Sequence, residues 1–206
     1  MSVELYLDEL QRYADENFHV DLLAARVEYF AGMGSINEDD ELFEAHLDRF
    51  LDWFLFERVL PHGRQTPLAA FIQAQQDRLP AENLRLYEGF LKNVHSLFSV
   101  QKIDKTGVHL RDLADKIKYF VVEEVPNAFT KGQVFEARLL PLGDEWYFSK
   151  GYIFHPLSAA KAIEKKVKHL DPRDRDAYRT FIRELALRRL KADRYKHIEP
   201  AQFYRF

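Results

Sequence analysis

Between Phe50 and Phe56 the chain reads FLDWFLF, with six large apolar side chains in seven positions. A helix on a protein surface keeps a polar face, so a segment this apolar must be enclosed by protein on most sides. It is too short to span a bilayer, and Asp52 interrupts it. Pro61 and Gly63 end the run, and Thr66-Pro67 offers a cap and a first-turn proline for the next helix. The rest of the chain has to supply the elements that enclose this helix.

Helical spacing on either side meets that need. Ser2 can cap a first helix to about Asn17, with Leu5, Leu7, Leu10, Tyr13 and Ala14 as its apolar positions, and a second runs from Asp21 to Phe30 before Gly32 and Gly34. Ser35 and Asn37 introduce the central helix. Leu68, Phe71 and Ile72 follow Pro67, and Leu84, Tyr87, Phe90, Leu91 and Val94 follow Pro80 at helical intervals. Residues 1–95 therefore read as a helical unit.

Near His95 the period changes. LFSVQKI, VHLRDL, KIKYFVVEE, QVFEARLLP and EWYFSKGYIF are short, rich in β-branched and aromatic residues, and joined by turn chemistry such as Asp104-Lys105-Thr106-Gly107 and Pro141-Leu142-Gly143-Asp144. Consecutive strands of this kind predict an antiparallel module over residues 96–156, either a curled meander or a small barrel, closure being the form that removes exposed edges. Helical spacing returns in residues 157–206. Ser158 reads as the cap of one helix, with Ile163, Val167 and Leu170 inward, and Asp171-Pro172 opens another, with Tyr178, Phe181, Ile182 and Leu185 on one face. The fold class expected is α+β, with these C-terminal helices packed on the preceding parts. The terminal FYRF, after Pro200, either docks on its own domain or serves as a short ligand.

FLDWFLFE, TPL and the later VFEARLLPLGDEWYFS followed by a helix resemble an uncharacterised group of bacterial cytoplasmic proteins that pair a W-F/L-L-F-D/E helix with a small strand-rich module. The likeness spans roughly residues 45–155 and implies no activity. Some members of that group have a cysteine-containing metal-binding tail; this chain contains no cysteine.

That absence also excludes disulfides and thiolate catalysis, and fits a reducing compartment. With an acidic, amphipathic start and no apolar span, the chain reads as cytoplasmic and not membrane-bound. Glu44, Asp48 and Asp52 share one helix face, and Glu16-Asn-Phe-His19 matches a carboxylate-histidine motif of two-metal bundles, but no second copy exists, so neither metal nor cofactor is expected. Ser99-x-x-Lys102 and Ser158-x-x-Lys161 echo a serine-lysine catalytic element, yet Ser99 lies in a strand and Ser158 suits a cap. No nucleophile elbow, zinc-protease motif or phosphate loop occurs. The reading is of a non-catalytic protein, with an enzyme assembled from distant residues as a remote third alternative.

Two surfaces are candidates. Trp146, Tyr147, Phe148, Tyr152 and Phe154 are too many for one face of a strand, because successive residues alternate sides, so some face a partner protein or are covered by flanking helices. A protein-binding role through these aromatics is the first expectation. The alternative is a nucleic-acid-associated protein using Arg175, Arg179, Arg183, Arg188 and Arg189 of the last helix for phosphate contacts. Charge is graded along the chain: residues 1–60 hold 15 acidic and 4 basic side chains, and residues 161–206 hold 14 basic and 7 acidic. The gradient means either a basic binding surface or acidic and basic segments packed together.

Overall fold

The computed structural model describes residues 3–33, 36–171 and 173–206. Ser2, Gly34, Ser35 and Pro172, invoked above as caps and helix ends, lie outside the described residues. The protein is α+β, with six α-helices, six strands and short 3-10 turns among the described residues. It divides into two compact units, one of Met1–Asn37, Glu44–Val94 and Arg138–Gly151, the other of Glu38–Phe43, His95–Ala137 and Tyr152–Phe206.

In the first unit, α1 runs over Val3–Ala31 as one continuous element, but Phe18 departs from helical geometry (φ −132°, ψ 27°). The two helices expected from sequence are thus joined through a kink. α2 (Phe43–Phe56) is the apolar segment, α3 (Pro67–Gln75) starts where the Thr66 hydroxyl accepts from Ala69 N at 3.3 Å, and α4 (Ala81–Phe90) follows Pro80. Leu10, Phe54, Phe71, Tyr87 and Phe90 are completely enclosed and share one cluster with Leu140. Trp53 stands at its margin, half-buried, against Tyr29 with ring centroids 5.2 Å apart. Tyr87 is fixed at both ends: its ring meets Phe71 at 4.5 Å, and its hydroxyl donates to Glu9 at 2.6 Å. Helix α2 passes close to Gly151, where a β-carbon would lie 2.7 Å from Arg49 N, so only glycine fits.

The strands are β1 (Val94–Asp104), β2 (Gly107–Asp112), β3 (Lys118–Val122), β4 (Val134–Leu142), β5 (Glu145–Phe148) and β6 (Ile153–Phe154). Their order in the sheet is β1-β2-β3-β5-β4-β6, and β1 also pairs with β4, which closes five strands into a barrel. This is not a simple meander: after β3 the chain takes the longer Pro126–Gly132 connection and β4 joins β1, leaving β5 to fill the gap. β1 pairs along both edges, and a bulge between Val100 and Lys102 bends it. Phe98, Val100, Val108, Leu110, Val121 and Phe135 are buried at alternating positions, and Phe98 meets Phe135 at 6.1 Å.

α5 (Ala160–Val167) and α6 (Arg175–Arg194) complete the second unit, with Ile163, Val167, Tyr178, Phe181, Ile182 and Leu185 in a cluster that includes Leu97 and Val134. Ser158 does not cap α5: a 3-10 turn over Leu157–Ala159 precedes the helix, and Ala159 takes the cap position without a side-chain bond. α6 likewise starts later than the Asp171-Pro172 pair suggests. Asp171 turns the chain by accepting from Arg173 N at 2.9 Å, and Asp174 is the cap, accepting from Ala177 N at 2.8 Å. The tail folds back, with Tyr204 buried against His155 (3.0 Å) and Phe206 against Phe181 (ring centroids 5.3 Å). Part of the charge gradient is resolved here, since Arg194 pairs with Asp40 (2.6 Å) and Lys196 with Glu41. Among the described residues, no helix is long and apolar enough to cross a membrane.

Candidate functional site

The outer face of β1, β2 and β3 is built by strand alternation. Val108 and Leu110 of β2 turn inward opposite Val121 and Tyr119, which sends His109 and Arg111 outward opposite Phe120 and Lys118. The β1 register extends both rows, setting Lys102 beside His109 and Ser99 beside Arg111. One row across the strands is thus Lys102-His109-Phe120, and the adjacent one contains Arg111 and Lys118. Phe120 is 38% exposed, and its ring lies 4.9 Å from that of His109.

Asp104, at the end of β1, is the acidic member of this face. It accepts from Lys102 and from His109 (2.6 Å), and these two bonds, Lys102 first, hold its carboxyl below the usual range. The pairing orients the Lys102 and His109 side chains and leaves Arg111 and Lys118 in excess. An exposed aromatic pair framed by cations on a regular strand surface can stack a planar group while holding an anion beside it.

The aromatics singled out from sequence do not form an open patch. Phe148 is buried, and Trp146, Tyr147, Tyr152 and Phe154 are half-buried. Tyr147 packs on the helical cluster of the first unit and donates to Glu145 at 2.8 Å, while Phe154 contacts Phe129 (5.3 Å), Phe135 (5.2 Å) and Tyr152 (5.5 Å). The arginines of α6 are largely engaged within the fold. Arg175 pairs with Asp115 at 3.0 Å, Arg179 approaches Asp176 at 3.6 Å, Arg189 pairs with Asp193, and Arg188 binds Glu184 and the Phe203 carbonyl. Arg183 is exposed between them.

Two buried polar networks escaped the sequence reading. In the first unit, the Arg138 guanidinium donates to Glu57 and Asn93, lies 4.0 Å from Asp52 and covers the Phe56 ring at 5.1 Å, while Ser149 donates to Asp52. On the same helix, Arg49 contacts His46 at 3.3 Å. In the second, Asp112 accepts from Ser96 (3.0 Å), Ala114 N (2.7 Å) and Asp115 N (3.1 Å), and the Tyr178 hydroxyl bonds Ser96 (3.0 Å) and accepts from Leu97 N (3.1 Å). Burial pushes the Asp112 carboxyl above its usual range despite these donors. Both networks fasten elements together: α2 to β4 in one, α6 to β1 and β2 in the other. The available signal was charge inside a strand, as in Glu136-Ala137-Arg138, where β4 is buried on both sides. Among the described residues no three potential metal ligands converge, and the Glu44, Asp48 and Asp52 face includes a buried Asp52 bound to Ser149.

The fold and this surface define an α+β protein with a small closed barrel whose first three strands present an aromatic and basic outer face. The chain belongs to a family of unknown function, DUF7986, whose model matches residues 22–183. Neither the curated proteins nor the solved structures contain a match to it.

Proposed function

We propose that this chain is a non-catalytic binding protein of the bacterial cytoplasm that holds single-stranded nucleic acid on the outer face of β1, β2 and β3. The observation that carries the reading is the Lys102-His109-Phe120 row with Arg111 and Lys118 beside it. Bases stack on exposed aromatic rings whatever their identity, and phosphates are held by lysine and arginine. A protein partner would make poorer use of this face, because lysine is depleted from the centres of protein interfaces. Five-stranded barrels of the OB type bind oligonucleotides on their second and third strands, a likeness of architecture alone. On this reading the barrel face binds the strand and the α6 arginines, most of which pair with carboxylates of the same unit, are not required for it.

The test is a fluorescence anisotropy titration of a labelled single strand of about 12 nucleotides, within the span of one such barrel. Binding that weakens steeply with salt, and that Lys102→Glu with Lys118→Glu abolishes, is the expected result. Absence of binding at low salt, or equal affinity in the double variant, rejects the reading. Polyglutamate is the competing ligand: if it displaces the strand as well as unlabelled oligonucleotide does, the face reads charge alone, and an acidic protein becomes the partner.

A further inference from the structure

We infer that the second unit has a separate binding site, a cleft between α5 and the tail that takes a small organic anion with an apolar body. The cleft has a volume of ≈ 640 Å³, within the range of small-ligand sites, and is open to solvent. Its two walls differ in origin. Ala162, Lys165, Lys166 and His169 come from α5 and the turn after it, and Arg205 and Phe206 from the tail folded against it.

The chemistry of the lining is one-sided. Among the lining side chains Lys165, Lys166 and Arg205 are cationic and none is Asp or Glu. His169 has Nδ1 2.7 Å from the Lys165 carbonyl, which accepts only, so that nitrogen donates and Nε2 is the one left for a ligand. The apolar part is held in place independently of any ligand: the Phe206 ring is fixed between Phe181 at 5.3 Å and the Arg188 guanidinium at 4.8 Å. Ala162, half-buried, adds a small apolar side chain to the lining. Cations at the rim over an apolar floor suit a carboxylate or phosphate head on a hydrocarbon body, and disfavour a cation or a fully polar anion.

The site shares no residue with the outer face of β1, β2 and β3, so each can fail alone. Isothermal titration calorimetry with decanoate, below its micellar concentration, is the direct test, with decanol and decyltrimethylammonium as neutral and cationic counterparts. Decanoate binds more tightly than either, Lys166→Glu with Arg205→Glu weakens it by about tenfold or more, and Ala162→Phe, which fills the floor, removes it. Lys165→Gln is the milder second variant, on an exposed side chain, and weakens decanoate without changing decanol. Equal binding of the three ligands, decanoate affinity unchanged in the charge variants at full thermal stability, or no heat from decanoate at all overturns the proposal.

Discussion

His109 and Phe120 face each other across β2 and β3 on the solvent side of the barrel, with ring centroids 4.9 Å apart. The pair is exposed enough that its loss should scarcely affect folding, yet it is the apolar centre of a basic face. Phe120→Ala is expected to leave the melting temperature within about a degree or two of the parent while costing about 1–3 kcal/mol in single-strand affinity, the value of one stacked base. Paired melting and anisotropy measurements check this. Unchanged affinity would remove Phe120 from the interface, and a large fall in stability would return it to the core.

Arg138 is buried with Glu57 as its ion-pair partner and Asp52 at 4.0 Å. Replacing it by Ala removes the cation these carboxylates share and opens a void beside Phe56, so a loss of about 3–5 kcal/mol is expected. Arg138→Met with Glu57→Gln should recover part of it, because both charges of the pair are then gone. Urea unfolding midpoints of the three proteins decide the matter. An unchanged midpoint in Arg138→Ala would show that the pair adds nothing.

Asp112 gives a pH prediction. Burial raises its carboxyl above the unfolded value, so protonation favours the folded form. That contribution is complete below the ordinary carboxylate range, near pH 4, and is lost as pH rises through the raised folded pKa. Asp112→Asn keeps an oxygen acceptor for Ser96 and the two backbone donors but does not titrate, so the stability difference between variant and parent should shift in favour of Asn as pH climbs through that window. Asp112→Ala, which orphans the donors, should cost about 1–3 kcal/mol at neutral pH. Denaturation curves at a series of pH values read both effects; a constant Asn-to-Asp difference would contradict the first.

The two large residues at the heart of α2 should differ in weight. Phe54 is fully enclosed, whereas Trp53 is half-buried with Arg58 over its ring at 5.7 Å. Phe54→Ala is expected to cost about 3–5 kcal/mol and Trp53→Ala less, although tryptophan is the larger side chain. Thermal or chemical denaturation compares them, and the reverse order would place the core on the other side of the helix.

Element types and their order could be read from the residues. Continuous apolarity marked α2, Pro67 and Pro80 marked the starts of α3 and α4, and alternation marked the strand region, because each of these signals acts within a few residues. Boundaries that depend on a neighbouring turn were less legible. Ser158 has the chemistry of a cap, but the 3-10 turn before α5 moves the cap position to Ala159. Asp174 displaced Asp171 because the chain makes one more turn before α6 begins.

What the sequence alone determined, then, is local: which segments are helical or extended, that a large aromatic core exists, and that the charge is graded from acidic to basic. Which face each strand shows to water was decided by tertiary structure. Strand alternation puts His109 with Arg111 on one side of β2 and Phe120 with Lys118 on one side of β3, but only the register of β1, β2 and β3 brings those sides together and aligns them with Lys102 into a surface. The closure of β1 on β4, and the burial of Arg138 on a strand enclosed on both sides, likewise come from pairings between residues far apart in the chain. Of the aromatics around Trp146, Phe148 is buried and the others are half-buried, because hydrophobic burial is non-directional and the chain's own elements reach them at high effective concentration.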